Sequence, residues 1–323
     1  MNSSMSQSAT RINVPLPSQP SFPIQYLSSL NIGSYQVIPI RSGIFGLDGG
    51  AMFGTVPKTL WEKKLPSDPL NRIPMQARAL LLKGEKEVIL VDTGNGGDFV
   101  EKYGPKLGQK FAQIYAIHEQ NQLIQALSQH HVNPEDVTHV ILTHLHFDHA
   151  GGATRFDPVV NKVVPTFPKA KYFVQRENFL TAQQPNIRER ASYLAANWEP
   201  LLAHEQLVLL DGPQENFLPH LSLLLSQGHT QGQQHVLVHD NNQGLFYGAD
   251  LIPTHAHVRK AWIMGYDLHP LLIIEEKTSI LKKLARNHWY LFFEHDPYFD
   301  LALIQEGSDD FDISQAIVIG ETQ

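Results

Sequence analysis

The stretch THLHFDHAGG, residues 143–152, places three histidines and an aspartate within six residues, directly after the apolar run VTHVIL. Histidine is a poor residue for a strand end or a turn, so this loop needs a chemical reason. Imidazole and carboxylate groups are the nitrogen and oxygen ligands of divalent metals of the zinc type. The stretch therefore predicts a metal site, built from His144, His146, Asp148 and His149, where a β-strand ends.

Three later segments also end an apolar run on a residue of the metal-ligand type. They are GHTQGQ with His229, GAD with Asp250 and EHDP with His295. Seven such side chains are enough for two ions of about four ligands each. A pair of metals about 3.5–4 Å apart can share a bridging carboxylate and a bridging hydroxide. We therefore expect a site that binds two divalent metal ions.

Length and composition indicate an ordinary globular protein, with 323 residues of which 42% are hydrophobic. We expect one large domain over residues 31–323. Residues 1–30 are rich in Ser, Pro and Gln and predict a flexible or surface-wrapping arm, without the apolar segment of a signal peptide. No run approaches the roughly 20 apolar residues that span a bilayer. We therefore expect a cytoplasmic protein with no membrane partner.

The net charge and the cysteine content limit which partners and which metal ligands we expect. The 25 basic and 32 acidic residues give a net charge of -7, and no basic stripe interleaves with aromatic residues, so nucleic acid is not an expected partner. The chain has no cysteine, so any metal must be held by nitrogen and oxygen atoms. Such ligands suit zinc, which we prefer, and also manganese, iron or cobalt.

Predicted strands dominate both halves of the chain, with helices between them. Residues 77–83 and 87–94 flank the turn GEK and predict a hairpin. Helices are predicted over residues 111–130, 188–203 and 271–288. Asn133 is the expected cap of a short helix with Pro134 in its first turn. The pattern indicates an α/β (α+β) protein.

The stretch THLHFDHAGG resembles the HxHxDH signature of the metallo-β-lactamase superfamily, and GHTQGQ, GAD and EHDP recur in the order of that family. The resemblance implies a four-layer αββα sandwich, in which two mixed β-sheets are flanked by helices and the site lies at the edge of the sheets. It also implies the ligand sets. One metal would take His144, His146 and His229, the other Asp148, His149 and His295, and Asp250 would bridge them.

The segment VDTG ends a predicted strand on Asp92, as in members of this superfamily. By resemblance, Asp92 would accept a hydrogen bond that fixes the tautomer and orientation of a ligand imidazole. The alternative is an aspartate that only caps a turn. Lactamases of the superfamily often use a cysteine as a second-site ligand. Its absence, with Asp148 and His149 in place, favours a dinuclear hydrolase.

Residues 47–66, LDGGAMFGTVPKTLWEKKLP, and residues 262–270, WIMGYDLHP, resemble segments of the YtnP-like quorum-quenching lactonases. These enzymes open the lactone ring of N-acyl homoserine lactones, so the resemblance implies a small-molecule lactone or ester as substrate. The same branch contains arylesterases and phosphotriesterases, and a thioesterase of this fold stays an alternative. A non-catalytic metal-binding scaffold would be expected to lose ligands, yet all seven are present.

The expected mechanism follows from metal chemistry. Coordination lowers the pKa of bound water from about 15.7 to about 7, which gives hydroxide at neutral pH. That hydroxide would attack the ester carbonyl, and the oxyanion would be stabilised where its charge develops. Asp148 is our candidate for carrying a proton to the departing alkoxide.

Other residues near the predicted site have two interpretations each. Met52 and Phe53 line an acyl-chain pocket or belong to a loop in the core, and Tyr266 binds a substrate carbonyl or serves packing. Surface or packing positions are preferred over substrate contact for His255, His257 and His269. His139 is expected to be satisfied or half-exposed on its strand. The oligomeric state stays open between monomer and homodimer.

Overall fold

The computed structural model describes residues 12, 14, 20–117 and 122–320. The strands in this part of the chain are β1 (Ile24–Leu27), β2 (Leu30–Ile32), β3 (Tyr35–Asp48), β4 (Arg72–Lys83), β5 (Val88–Val91), β6 (His139–Ile141), β7 (Thr154–Asp157), β8 (Lys162–Pro165), β9 (Lys171–Gln175), β10 (Leu207–Leu210), β11 (Gln214–Leu218), β12 (Leu221–Ser226), β13 (Gln233–His239), β14 (Gly244–Tyr247), β15 (Tyr290–Phe292), β16 (Leu301–Glu306) and β17 (Phe311–Ile319).

The α-helices of the same residues are α1 (Gly49–Phe53), α2 (Lys58–Trp61), α3 (Phe99–Tyr103), α4 (Pro105–Ile114), α5 (Gln122–Gln129), α6 (Phe147–Ala150), α7 (Arg176–Gln183), α8 (Glu199–Ala203) and α9 (Pro270–Asn287). Short 3-10 helices cover Pro134–Asp136, Gly151–Ala153, Ala195–Asn197, Ala249–Leu251 and His255–Val258.

The strands form two large mixed sheets. The seven-stranded sheet has the order β10-β9-β6-β5-β4-β3-β2, and the eight-stranded sheet has the order β1-β17-β16-β15-β14-β13-β12-β11. In the first sheet β5 is parallel to β6, and in the second β14 is parallel to β15. The remaining strands β7 and β8 form a separate antiparallel pair.

Strand β4 shows why the sheets pack as layers. Its side chains alternate between the two faces of the sheet. Leu80 and Leu82 belong to the core that also contains residues of the eight-stranded sheet such as Val236. Ala79 and Leu81 point the other way, into a second core. A strand that is buried on both faces explains the unbroken apolar run in this segment.

Helices cover the outer face of each sheet. Leu127 of α5, Phe179 of α7 and Leu201 of α8 pack in the outer core of the seven-stranded sheet. Leu281 and Leu284 of α9 pack on the eight-stranded sheet. Helices, sheet, sheet and helices therefore form four layers, which confirms the predicted αββα sandwich.

Several local predictions are also confirmed. The predicted hairpin forms from β4 and β5, which pair in antiparallel register. The predicted helix 271–288 is α9. Asn133 precedes a 3-10 turn that begins at Pro134, and its backbone N–H donates to the Asp136 carboxylate at 2.8 Å.

The prediction of one continuous helix over residues 111–130 is wrong. Helix α4 ends at Ile114, and Ala116 has a φ of 50°, a left-handed conformation that costs a non-glycine residue energy. The Tyr115 carbonyl accepts a hydrogen bond from the Gly46 N–H at 2.7 Å. The chain leaves the helix at this point, and residues 118–121 lie outside the described part.

The predicted helix 188–203 is wrong over its first half, because residues 188–194 are not helical and only residues 195–197 and 199–203 are. The Asn186 side chain accepts hydrogen bonds from the N–H groups of Arg188 and Glu189 and so holds a turn. The Phe147 N–H then donates to the Ser192 carbonyl at 2.9 Å. Residues 187–192 therefore form turns, and Tyr193 makes an isolated β-bridge with His146 of the histidine-rich loop.

The predicted N-terminal arm is described only from residue 20, apart from residues 12 and 14; the remainder of residues 1–19 lies outside the described part. In the described part of this arm, β1 pairs in parallel with β17 at the edge of the eight-stranded sheet. Among the helices of the described residues, none combines the length and the apolar character needed to cross a membrane.

Candidate metal centre

The seven predicted metal ligands meet where parallel strands of both sheets end. His144 follows β6, Asp250 follows β14 and His295 follows β15. All seven side chains are buried, with at most 7% of any residue exposed. Because β5 and β6 run parallel in one sheet, and β14 and β15 in the other, their carboxyl ends bring these loops to one edge of the sandwich.

The ligand atoms of the seven predicted side chains form two groups, each with its atoms within 4.8 Å of one another, and a third such group joins His149 to Asp92 and Glu294. The first group is His144, His146, His229 and Asp250, and the second is Asp148, His149 and His295. Asp250 lies between them: one of its oxygens is 3.0 Å from His229 Nε2, and the other is 3.3 Å from His295 Nε2. Each group could hold one ion, with Asp250 shared.

The facing nitrogen atoms fit a pair of cations. His144 Nε2 is 3.0 Å from His146 Nδ1, and His149 Nε2 is 3.3 Å from His295 Nε2. When the ring nitrogen that points away from the cluster carries the hydrogen, the nitrogen that points into the cluster presents a lone pair. Two lone pairs at this distance repel unless they share a positive charge. Asp250 Oδ1 is also buried without a hydrogen-bond donor among the described residues. This donor set suits zinc and similar divalent metals.

Asp92 contacts one of these rings directly. Its carboxylate is 3.0 Å from His149 Nδ1 and accepts hydrogen bonds from the backbone N–H and the hydroxyl of Thr143, both at 2.7 Å. Asp92 therefore ties the end of β5 to the loop that follows β6. A carboxylate in this position fixes the tautomer and orientation of the imidazole.

Three further carboxylates around the rings escaped the sequence reasoning. Asp267 is 3.0 Å from His229 Nδ1, Glu294 is 3.0 Å from His149 Nδ1, and Glu189 is 3.7 Å from His146 Nε2. Only Glu294 carried a signal, because it is an acidic residue at the end of an apolar run and directly before a predicted ligand. Asp267 and Glu189 reach the site through loops whose course the sequence does not indicate.

These carboxylates determine the protonation of the rings. Burial lowers the pKa of His229, but Asp250 and Asp267 outweigh burial and raise it to about 10. Burial likewise opposes a proton on His149, and Glu294 and Asp250 raise its pKa well above the usual value. Burial raises the pKa of Glu294 to about 8. Burial lowers the pKa of His144 and of His146, so the carboxylates favour a proton on some of the rings and not on all of them.

A cavity of about 280 Å³ opens onto the cluster. Asp148, Asp250 and His295 form part of its lining. Its apolar walls are Leu47, Met52, Phe147 and Met264, and its other polar groups include Tyr115, Arg188, Ser192 and Tyr266. It can therefore take a small, largely apolar molecule and hold a polar end of that molecule against the cluster.

The predicted pocket residues take different positions. Met52 and Tyr266 line the cavity. Phe53 does not line it: the ring is fully buried and stacks on Trp61 and His257, with centroids 5.2 Å and 4.7 Å away. Sequence reasoning missed Tyr115, because the predicted continuous helix gave no reason for its side chain to reach the site.

The four other histidines considered lie outside the ligand groups. Buried His257 contacts the Thr254 hydroxyl and the Met52 carbonyl at 2.7 Å and 2.8 Å. His255 pairs with Asp296 at 2.5 Å. His269 is exposed immediately before α9, and His139 is half-buried against the Thr138 hydroxyl at 2.8 Å. All four therefore serve packing, hydrogen bonding or the surface.

Comparison with known proteins identifies the class. The model of the metallo-beta-lactamase superfamily matches residues 72–295. The chain belongs to this superfamily, as the four ligand motifs implied.

Particular relatives narrow the comparison. An N-acyl homoserine lactonase from Bacillus cereus is 29% identical over 182 residues, which span 55% of this chain and 64% of that protein. The alignment therefore covers less than two thirds of that relative. A crystal structure of a probable metal-dependent hydrolase from Staphylococcus aureus has a TM-score of 0.79 at 26% identity, covering 91% of this chain and 100% of that chain.

The fold is also shared with AidC, a dizinc quorum-quenching lactonase solved in complex with a product, N-hexanoyl-L-homoserine. The TM-score is 0.70 at 21% identity, with 91% of this chain and 97% of that chain covered. At this level of identity the likeness concerns the fold alone.

Proposed function

We propose that this protein is a metal-dependent hydrolase that opens the lactone ring of N-acyl homoserine lactones with two bound divalent ions, preferably zinc. The observation that carries the proposal is the pair of buried ligand groups beside a small, mostly apolar cavity. Lactonases among the sequence relatives support the choice of substrate.

The proposed ligands fall into two sets. His144, His146 and His229 hold one ion, Asp148, His149 and His295 hold the other, and Asp250 is shared. Bound ions supply a hydroxide nucleophile at neutral pH and a Lewis acid for the carbonyl oxygen. Asp92 keeps His149 in its ligand orientation.

The side chains of the cavity have roles of their own. Asp148 lines the cavity, and its oxygens lie 3.9 Å from His149 Nε2 and 3.8 Å from His295 Nε2. We assign to Asp148 the transfer of a proton to the departing alkoxide oxygen. The hydroxyl of Tyr266 is a donor for a substrate carbonyl, and Met52 and Met264 exclude water around the acyl chain.

The test is proton release in a pH-stat when zinc-loaded protein meets N-hexanoyl-homoserine lactone, with chelator-treated protein as the control. Ring opening creates a carboxylic acid, so we expect steady, chelator-sensitive release of one proton per lactone. An aryl phosphotriester and a thioester are run in parallel, because the same ions suit their hydrolysis. Turnover of either of these with none of the lactone would overturn the proposed substrate.

A further inference from the structure

We propose that Asp267 is a positioning residue that couples the metal ligand His229 to the wall of the substrate cavity. The wall is defined as residues 262–268, which include the cavity-lining residues Met264, Gly265 and Tyr266. The inference rests on the proposed function for the identity of the ligand, but its test can be read without any substrate.

The two oxygens of the Asp267 carboxylate have different partners. One lies 3.0 Å from His229 Nδ1, and the other accepts the Met264 N–H at 2.9 Å. The side chain is 1% exposed, so water does not compete for either contact. One rigid group therefore joins a ligand imidazole to the backbone of the cavity wall.

Other hydrogen bonds to the wall use its backbone, and the side chains of Trp262 and Met264 also pack in the core that contains Phe53. The Gly265 N–H donates to the Ala51 carbonyl at 2.7 Å, and the Leu268 N–H donates to the His229 carbonyl at 3.2 Å. Lys277 Nζ donates to the Trp262 carbonyl at 2.7 Å. Asp267 is thus the residue through which a change in the orientation of the His229 ring acts on the residues that line the cavity.

The coupling has a direct physical cause. A metal on His229 Nε2 requires the ring hydrogen to stay on Nδ1, and that hydrogen bonds the Asp267 carboxylate. The hydrogen bond fixes the carboxylate, which in turn fixes the Met264 N–H. Removing an acceptor of this kind typically costs 10–100-fold in metal affinity.

The first experiment titrates metal-free protein with Co²⁺, following the visible spectrum, and compares wild type with Asp267→Asn. We expect one of the two bound ions to weaken about 10–100-fold, with a changed spectrum for that ion alone. The matched control is Glu276→Gln. Glu276 accepts the N–H groups of Gln227 and Gly228 and so holds the loop before His229 without touching its ring. Equal losses in the two variants, or none in Asp267→Asn, would overturn the inference.

The second experiment needs no variant. Hydrogen exchange of the Met264 amide is followed in wild-type protein with and without Zn²⁺. We expect exchange to slow by at least about tenfold on zinc loading, because the acceptor of this amide is fixed by the metal-bound ring. An unchanged rate would contradict the coupling. Failure to hydrolyse lactones would count against the proposed substrate only, since neither experiment contains one.

Discussion

Among the residues that the structure describes, Asp250 is the side chain whose two oxygens face different ligand groups. Asp250→Ala removes a shared ligand and its negative charge, so we expect the loss of both ions and of all hydrolysis. Metal content after dialysis and pH-stat activity measure the two effects. The exposed Asp309 provides a control, since Asp309→Ala should keep both ions. Full activity in Asp250→Ala would rule out the dinuclear mechanism.

Metal binding should release protons, because the ions compete with hydrogens on the rings. Folding raises the pKa of His229 to about 10 and that of His149 well above its usual value of 6.5. At pH 7 the His229 ring is therefore protonated, and the raised pKa of His149 acts in the same direction, so we expect zinc loading to release protons, at least one of them from His229. Calorimetric titrations in buffers of different ionisation enthalpy count them. A release below one proton would contradict this charge balance.

The same shifts set a pH dependence for stability. A histidine whose pKa is higher in the folded than in the unfolded protein stabilises the metal-free protein at pH values below the unfolded pKa of about 6.5. This contribution is lost as the pH rises towards the folded pKa of about 10. The stabilisation by zinc should therefore grow from pH 6 to pH 8.5. The difference in Tm between loaded and metal-free protein measures it, since groups unaffected by the metal cancel. A difference that shrinks with pH would contradict the prediction.

At the scale of elements, the two glycines that close the opening stretch have a packing role. A Cβ on Gly151 would lie 2.1 Å from the Asn95 carbonyl oxygen, and the Gly152 N–H donates to the Gly94 carbonyl at 3.2 Å. The loop after β5 and the loop after β6 therefore touch backbone to backbone, which brings Asp92 within reach of His149.

Gly151→Ala should push these two loops apart. We expect a loss of about 1–3 kcal/mol in the free energy of unfolding and weaker metal binding, measured by urea denaturation and metal titration. Gly307→Ala is the control, because its Cβ would come no closer than 3.2 Å to another residue. Wild-type stability in Gly151→Ala would show that the loops can separate at no cost.

Elements that could be predicted from the sequence depend on local signals. The hairpin of β4 and β5 and the helix α9 follow from turn residues and apolar spacing alone. The segment 188–203 has helix-forming residues, yet its course is set by contacts with Phe147, which are remote in sequence. Helix α4 ends early for a similar reason, since Tyr115 bonds a residue of β3. Tertiary contacts therefore override the local preference where the chain approaches the site.

At the scale of the whole molecule, the meeting of the seven proposed ligands at one edge of the sandwich could be predicted because their residue types and order are specific. The carboxylates Asp267, Glu189 and Glu294 could not, since their roles arise from distances that only the fold sets. The N-terminal boundary of the domain could not be predicted from the sequence either. Composition places residues 1–30 outside the domain, whereas β1 forms part of the eight-stranded sheet.

Two truncations test this boundary. A chain that begins at residue 21 keeps β1, whereas a chain that begins at residue 28 keeps all of β2 but loses β1 and the packing of Phe22 and Ile24 against the core. Burial of such side chains contributes roughly 1–3 kcal/mol, so we expect the shorter chain to have the lower Tm. Equal Tm values would show that β1 adds nothing to the stability of the sheet.

Because the proposed ligands follow strands of both sheets, they become available in a fixed order during synthesis. His146 and His229 are separated by 83 residues, and His149 and His295 by 146. A nascent chain offers four ligand side chains in one loop long before the others emerge, and it completes one ligand group before the second. With the proposed ligand sets, tight capture of both ions waits until the eight-stranded sheet has formed, and metal retention is then a late signal of correct folding.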